Sequence, residues 1–359
     1  MRAPRRSLLV VALSGLLAAG AACAPSAAPA PAPAAPAAGA VGGAPTAGAP
    51  AAAPAAAAPQ RTTLSYGITG YLASYWPSFV AMNKGFFADQ GIDIDIVLTE
   101  SSARGAQTIA SGSVDISNHS PETTILAVEK GADLAIVGEE VSRPVYTLLG
   151  QPDIPDVAAL RGQRIAVSDL KGGATWIMLR TLEHYGVGEN EVDLVPVGGT
   201  TARYAAMKNG AVAAGAMLQP DDFRAMDEGF KRLAVSTDAV KDYTFNSQTV
   251  QRGWAREHAD ELVRFLRAVS RATDWLYDPA NKEEAIAILA ERTKQDEKYA
   301  RQSYDLVVTE QRMYAEKERI RPAGLQAVLE LLAEIGEMSR PLPPVDKYID
   351  TSYWERAQQ

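Results

Sequence analysis

Residues 83–97 read NKGFFADQGIDIDIV and carry the clearest structural pattern in the chain. Gly85 suits the end of a helix that begins near Pro77, because glycine readily adopts the left-handed backbone that closes helices. A short helical turn over residues 86–91 follows, and residues 92–98 then alternate apolar and acidic side chains, as expected for a half-buried strand. Helix, turn and strand in close succession are typical of an α/β protein.

The same alternation extends on both sides of this stretch. The pattern predicts strands at residues 62–67, 92–98, 114–117, 134–137, 145–149, 164–168, 192–196, 213–217 and 232–235, with helices between most of them. Strands that alternate with helices predict two mainly parallel sheets built from βαβ units and flanked by helices. After residues 245–250 only helices are predicted, and the longest ends at Tyr277 with apolar side chains at helical spacing.

The first 22 residues predict a secretory signal peptide. Arginines give a positive start, and residues 8–17 form an apolar run shorter than the roughly 20 residues that span a bilayer. Small residues then lead to Cys23, which is the only cysteine. Its position resembles the lipidation site of bacterial lipoproteins, although Gly20 stands where that site usually has an aliphatic residue. Either Cys23 is acylated after export, or an ordinary signal peptide is cleaved nearby.

Residues 23–60 are predicted to be the Cys23 anchor followed by a disordered tether. The tether consists almost entirely of Ala, Pro and Gly, with no charged and no aromatic residue. Such a segment has too little apolar surface to bury against the entropy cost of ordering it. Residues 61–359 remain, enough for two medium-sized lobes. The net charge of −8 and the lack of a basic run argue against a nucleic-acid partner.

Several segments in order resemble one family of solute-binding proteins of ABC importers, which serve nitrate, aliphatic sulfonates and thiamine precursors. Residues 83–97 resemble its KGFF…GIDVEIV opening, residues 109–116 (IASGSVDI) its LASGEVDIA step, and residues 160–167 (LRGQRIAV) its LKGKKIAV entry to the second lobe. The resemblance covers nearly all of residues 62–355. Order and spacing carry it, since no single segment is strongly specific.

This resemblance implies the two-lobed, type 2 periplasmic-binding-protein fold with a hinge. Lobe 1 would comprise residues 62–146 plus 245–359, and lobe 2 residues 147–244. A small solute would bind in the cleft and pass to the permease of an ABC importer. We expect an exported monomer in the periplasm or on the outer face of the cytoplasmic membrane, anchored through lipid.

Ligands of open α/β sheets bind beyond the carboxyl ends of the strands, so the loops there supply candidate site residues. The first such loop contains Tyr71, Tyr75 and Trp76. These rings either line an apolar pocket or cover the edge of the lobe. The loop after the third strand contains Asn118, His119 and Ser120. Its capped helix start offers free N–H groups to an anion, whereas His119 either contacts ligand or only supports the loop.

The loop at Gly172 and Gly173 is the strongest candidate, together with Ala174 and Thr175 at the following helix start. Paired glycines allow the backbone to approach a ligand closely. Gln219, after another strand, and Asn246, at the return to lobe 1, are further candidates. Two opposed helix starts indicate an anionic group, and the aromatic loop indicates an apolar or aromatic body. Glu122 weakens the first indication, because it already complements its own helix start.

Two functions other than transport also occur on this fold. One branch of the fold makes the thiamine pyrimidine, but it depends on a cysteine-rich motif that this chain lacks. The three histidines have no metal-ligand spacing, and no HExxH, GxSxG or P-loop motif occurs, so we predict neither an enzyme nor a metal or cofactor site. The remaining alternative is a ligand-sensing lobe that works with a separate membrane signalling protein.

Overall fold

The computed structural model describes residues 61–170 and 172–359. The predicted signal peptide, Cys23 and tether therefore lie outside the described residues. Within those ranges the strands are β1 (Thr62–Ile68), β2 (Ile92–Leu98), β3 (Ile116–His119), β4 (Leu134–Val141), β5 (Thr147–Gly150), β6 (Arg164–Val167), β7 (Asp193–Pro196), β8 (Ala214–Met217), β9 (Lys231–Val235) and β10 (Asn246–Gln251).

The helices follow the alternation that the sequence predicts. They are α1 (Trp76–Asn83), α2 (Phe86–Asp89), α3 (Ser102–Ala110), α4 (Pro121–Glu129), α5 (Gly173–His184), α6 (Thr200–Lys208), α7 (Asp221–Asp227), α8 (Arg252–Glu257), α9 (Ala259–Tyr277), α10 (Lys282–Thr293), α11 (Glu297–Ser303), α12 (Pro322–Glu334) and α13 (Ser352–Ala357). A π-helical turn, Tyr304–Glu310, continues α11. No helix in these ranges has both the length and the apolarity needed to cross a bilayer.

The strands form two five-stranded sheets, which confirms the two-lobed α/β fold. The first sheet has the order β2-β1-β3-β10-β4 and the second has the order β7-β6-β8-β5-β9. In each sheet four strands share one direction, and β10 or β5 runs antiparallel to both of its neighbours. Both reversed strands directly follow a passage of the chain from one sheet to the other. This refines the expectation of mainly parallel sheets to mixed ones.

The stretch that begins the second strand folds as its residues predict. Gly85 and Gly91 adopt φ values of +72° and +68°, the left-handed conformation that glycine reaches without steric cost. They end α1 and α2, and β2 then pairs in parallel with β1 along its whole length. Further along, the apolar stripe of α9 is buried as predicted, with Phe265 stacked on Phe87 at 5.2 Å between ring centroids.

The loops beyond the carboxyl ends of both sheets meet each other. The Ala73 N–H, after β1, donates to the Gln219 carbonyl, after β8, at 3.0 Å. Glu122, after β3, lies against Gly173, after β6. A peripheral contact also joins helices beside the two sheets, since Trp176 Nε1 in α5 donates to Glu334 in α12 at 3.0 Å. The two carboxyl edges therefore enclose a common interlobe site.

Candidate functional site between the sheets

The two glycines before α5 lie against carboxylates of the chain itself. A β-carbon on Gly173 would overlap Glu122 Oε1 and would lie 2.8 Å from the Tyr243 hydroxyl. A β-carbon on Gly172 would lie 2.5 Å from Asp169 Oδ2. Gly172 is the N-cap of α5 with extended backbone, so the absence of a side chain, rather than special torsion angles, is what permits the approach. Carboxylates of the chain make the close approach that these glycines permit, and the predicted approach to a ligand stays a prediction.

Glu122 is the side chain that joins the two lobes here. Pro121 opens α4, and this places Glu122 in the first turn, where it is buried. Its Oε1 accepts a short hydrogen bond from the Tyr243 hydroxyl, whereas Oε2 has no hydrogen-bond partner among the described residues. Burial raises the pKa of the Glu122 carboxyl, and the charge of Asp169 adds to the rise, whereas hydrogen bonds from Tyr243, from the Glu122 backbone N–H and from the Ser120 hydroxyl oppose it.

Two tyrosines also lie at this interlobe site, one in each segment where the chain passes from one sheet to the other. Tyr146 lies just before β5, and Tyr243 lies just before β10. Burial raises the pKa of the Tyr146 phenol to about 12, and the Glu122 charge adds to that rise. Tyr243 stacks on Trp176 with ring centroids 5.7 Å apart, and its phenol pKa is also raised by burial. Both phenols therefore stay protonated and can donate hydrogen bonds at neutral pH.

Arg203 of α6 is buried below Tyr146 and fully engaged. Its Nε donates to the Ala216 carbonyl at 2.7 Å, Nη1 to Ser168 Oγ at 2.5 Å and to a further carbonyl, and Nη2 to Thr200 Oγ1 at 3.2 Å. Burial lowers the pKa of the guanidinium. A cavity of about 10 Å³ borders Arg203 and Thr175, with room for about one water molecule. Arg203 thus links β6 and β8 through hydrogen bonds inside the second lobe.

The comparisons with known proteins agree with this architecture. Residues 73–282 match the family model described as NMT1/THI5 like. The chain belongs to this family. A Brucella abortus protein whose name describes a candidate binding protein is 24% identical over 291 residues, covering 78% of this chain and 89% of that one. A 4-amino-5-hydroxymethyl-2-methylpyrimidine phosphate synthase from Uromyces fabae is 24% identical over 56% of this chain and 63% of its own length.

Two solved structures show the shared fold. The periplasmic nitrate-binding protein NrtA from Synechocystis PCC 6803 matches with a TM-score of 0.71 at 18% identity, covering 84% of this chain and 89% of that one. The periplasmic aliphatic sulphonate binding protein SsuA from Escherichia coli matches with a TM-score of 0.63 at 21% identity, covering 82% and 93%. The resemblance found in the sequence motifs is confirmed, and the fold of this NMT1/THI5-like chain with it.

The structure places four more of the predicted residues, three of them in the second lobe and Ser120 in the first. Ala174 and Thr175 border the small cavity, and Thr175 Oγ1 donates to the Asp169 carbonyl at 2.6 Å. Ser120 is the N-cap residue of α4, although its side chain makes no capping hydrogen bond. Gln219 is buried, and its Nε2 donates to Asp222 Oδ2 at 2.9 Å while its Oε1 has no partner within the described ranges.

The aromatic loop divides its three rings among different surroundings. The Tyr75 hydroxyl is 2.7 Å from Thr69 Oγ1 and donates to the Asn118 carbonyl at 3.3 Å, at the carboxyl end of the first sheet. Tyr71 is 40% exposed and stacks on Phe79. Trp76 is fully buried among helices, where its Nε1 donates to the Ala285 carbonyl at 3.0 Å. Of the three, the structure brings only Tyr75 next to the interlobe site.

Asn118 and His119 were predicted to follow a strand, and this was wrong because β3 includes both of them. His119 Nδ1 is 2.9 Å from Ser117 Oγ, and Nε2 is 3.0 Å from Thr124 Oγ1. Burial lowers the His119 pKa to about 4, so the imidazole is neutral at neutral pH. Both ring nitrogens therefore make hydrogen bonds inside the first lobe. Asn118 points to a separate buried network, whose centre is Glu140.

Asn246 lies in β10 beside Val141, and its side chain hydrogen-bonds Tyr75. The residues that sequence reasoning did not single out are Tyr146, Tyr243, Arg203 and Asp169, and Glu122 was noted only as a complement to its own helix. A tyrosine within three residues before each of the two crossing strands is the signal that could have found two of them. Within residues 61–170 and 172–359, no group of three or more His, Cys, Asp or Glu side chains could hold a metal ion.

Proposed function

We propose that the protein binds a small organic solute at the interlobe site and delivers it to the permease of an ABC importer. One observation carries this proposal: loops from both lobes converge on Glu122, whose buried Oε2 has no partner among the described residues. Buried polar atoms in folded proteins are usually hydrogen-bonded, so an unpartnered carboxylate oxygen at the place where loops of both lobes meet supports a ligand position there.

Binding without turnover is the activity that this site supports. Tyr146 offers a hydrogen-bond donor and Glu122 an acceptor and a charge, and two lobes joined at the carboxyl edges of their sheets provide a hinge-closing geometry. Membership of the NMT1/THI5-like family and the fold of nitrate- and sulfonate-binding proteins support the same proposal. We place lobe 2 at residues 147–244 and the hinge at the two chain passages, beside Tyr146 and Tyr243.

A melting-temperature screen of the purified protein against small solutes tests this function. A true solute at a hundredfold excess over its Kd should stabilise the protein by about 2.7 kcal/mol and should be recovered chemically unchanged. Gly173→Ala should abolish the shift, because the new β-carbon overlaps Glu122 Oε1 and keeps the lobes apart. Gly253→Ala is the matched control, since its β-carbon meets only the tip of Arg256 at 3.9 Å. Consumption of the solute by the protein would overturn the proposal.

We further propose that Cys23 carries a lipid that holds the protein at the outer face of the cytoplasmic membrane. The preceding apolar leader and the Ala/Pro-rich segment that follows support this placement. Cys23→Ser should move the protein from the membrane fraction to the soluble exported fraction and should abolish labelling with radioactive palmitate. Unchanged membrane attachment of this variant would contradict the anchor and would leave solute binding unaffected.

A further inference from the structure

We infer that the solute presents a nitrogen cation, an ammonium or amidinium group, to Glu122 Oε2. This inference rests on the proposed function and narrows its substrate class. It also replaces the prediction of an anionic ligand, which came from the two helix starts, because the structure shows which groups already lie at the start of α5.

The start of α5 is complemented by the chain's own negative groups. Free N–H groups and the helix dipole at such a start attract about one negative charge. Here Asp169 lies against Gly172, and Glu122 reaches over from the opposite lobe to Gly173. A sulfonate or carboxylate at this place would meet the buried Glu122 carboxylate at short range, where repulsion is strong. The site therefore disfavours an anion.

The unpartnered oxygen calls for a hydrogen-bond donor. Glu122 is only 4% exposed, its Oε1 is engaged by Tyr243, and its Oε2 accepts nothing from the described residues. A buried carboxylate oxygen without a donor costs roughly 1–3 kcal/mol, and more when it is charged. An N–H group with positive charge supplies the hydrogen bond that Oε2 lacks and also offsets the charge of the carboxylate.

The surroundings of Glu122 favour a cation over an anion in one further way. Arg203, a cation of the second lobe within the described residues, spends its donors on Ala216, Ser168, Gly198 and Thr200 rather than on an anion. It is committed to holding the lobe together.

The test compares ring compounds of one size that differ in charge. Benzamidinium and benzylammonium are the cationic probes, benzoate and benzenesulfonate the anionic ones, and benzyl alcohol the neutral one. We expect the two cations to raise the melting temperature and to bind at least about tenfold more tightly than either anion. Anions that bind as tightly as the cations would overturn the inference and leave solute binding intact. No stabilisation by any probe, or by any solute of a broader screen, would overturn the proposed function as well.

A second arm asks whether Glu122 itself receives the cation. Glu122→Gln keeps the shape and the acceptor for Tyr243 but removes the charge, and it should weaken benzamidinium binding by about tenfold or more in calorimetry. Glu189→Gln is the matched control, because Glu189 is exposed on the second lobe. Circular dichroism of both variants verifies the fold. Unchanged benzamidinium affinity in folded Glu122→Gln would contradict the assignment.

Discussion

Two buried glutamates of the first lobe, Glu122 and Glu140, differ in the hydrogen bonds that their carboxylate oxygens accept. Glu140 of β4 accepts from the Ser78 N–H at 3.1 Å and its hydroxyl at 3.0 Å, and also from Tyr66, Gln248 and Asn118. Glu122 accepts from Tyr243 through one oxygen and from no described residue through the other. Both are removed from water, so burial alone does not distinguish them.

The difference separates a structural acid from a binding acid. Donors from α1, β1, β3 and β10 converge on Glu140, so its carboxylate organises the interior of one lobe without any ligand. Glu122 instead lies between lobes and is incomplete. Functional sites commonly retain such unfavourable groups, and their removal commonly stabilises a protein at the expense of binding. The three predictions below test this contrast.

The largest expected effect is the loss of stability on truncating Glu140. Glu140→Ala leaves the donors of Ser78, Tyr66, Gln248 and Asn118 unpaired in the core and opens a cavity. We expect the free energy of unfolding to fall by about 3–5 kcal/mol in urea denaturation. Glu257→Ala, at an exposed position, is the control. A loss below about 1 kcal/mol would show that the network is not a structural centre.

A pH dependence of stability sharpens the contrast further. Burial raises the pKa of Glu140 to about 7, against an ordinary value of 4.5. A raised acid pKa means that the folded state holds its proton longer than the unfolded state does. Glu140 therefore contributes stability that is complete below about pH 4.5 and is lost as the pH rises through about 7.

Other titratable groups near Glu140 also change the stability with pH, so the contribution of Glu140 must be measured as a difference. Glu318 shares Gln248 with Glu140 and also has a pKa raised by burial, whereas the lowered pKa of His119 acts in the opposite direction. The informative quantity is the difference between the wild type and Glu140→Gln across pH 4–8, measured by urea denaturation. We expect the slope of stability between about pH 4.5 and pH 7 to become shallower in the variant. Parallel curves would exclude Glu140 as a source of the slope.

Sequence patterns predicted the architecture better than they predicted the site. Periodicity and glycine placement located β2 at residues 92–98 and the buried stripe of α9, because these depend on neighbours in the chain. The loop at Gly172 and Gly173 was also found, since its two bare backbone positions are visible in the sequence. What approaches them was not visible, because Glu122 is brought there by the packing of one lobe on the other.

The misplacement of Asn118 and His119 has the same origin. Their polarity suggested a loop, but β10 pairs antiparallel with β3, with Ser247 opposite His119 and Gln248 opposite Asn118. Polar partners on that neighbouring strand and behind it allow two polar residues to continue a buried strand. A pairing between residues more than a hundred positions apart leaves no local pattern, so neither the strand end nor the neutral role of His119 could be predicted.

The smallest expected effect has the opposite sign and decides between the two glutamates. Burial raises the pKa of Glu122, so the folded wild type loses stability as the pH rises through and above the ordinary range of a carboxyl group. Asp169, Tyr243, Tyr146 and Arg203 surround it, and only Tyr243 donates to it among these. Glu122→Gln has no charge to desolvate. Without solute at pH 8, we expect it to be more stable than the wild type by about 1 kcal/mol, with a smaller difference at pH 4.

Urea denaturation of Glu122→Gln beside Glu140→Gln at both pH values measures this contrast. At pH 8 Glu140→Gln should be less stable than the wild type, because an amide cannot accept all the donors that converge on the carboxylate. If Glu122→Gln is instead destabilised to the same extent as Glu140→Gln, then Glu122 is a structural link between the lobes. Its free oxygen would no longer indicate a ligand, and the proposed cation would lose its partner. A gain in stability together with lost benzamidinium binding is the combination that only a binding acid produces.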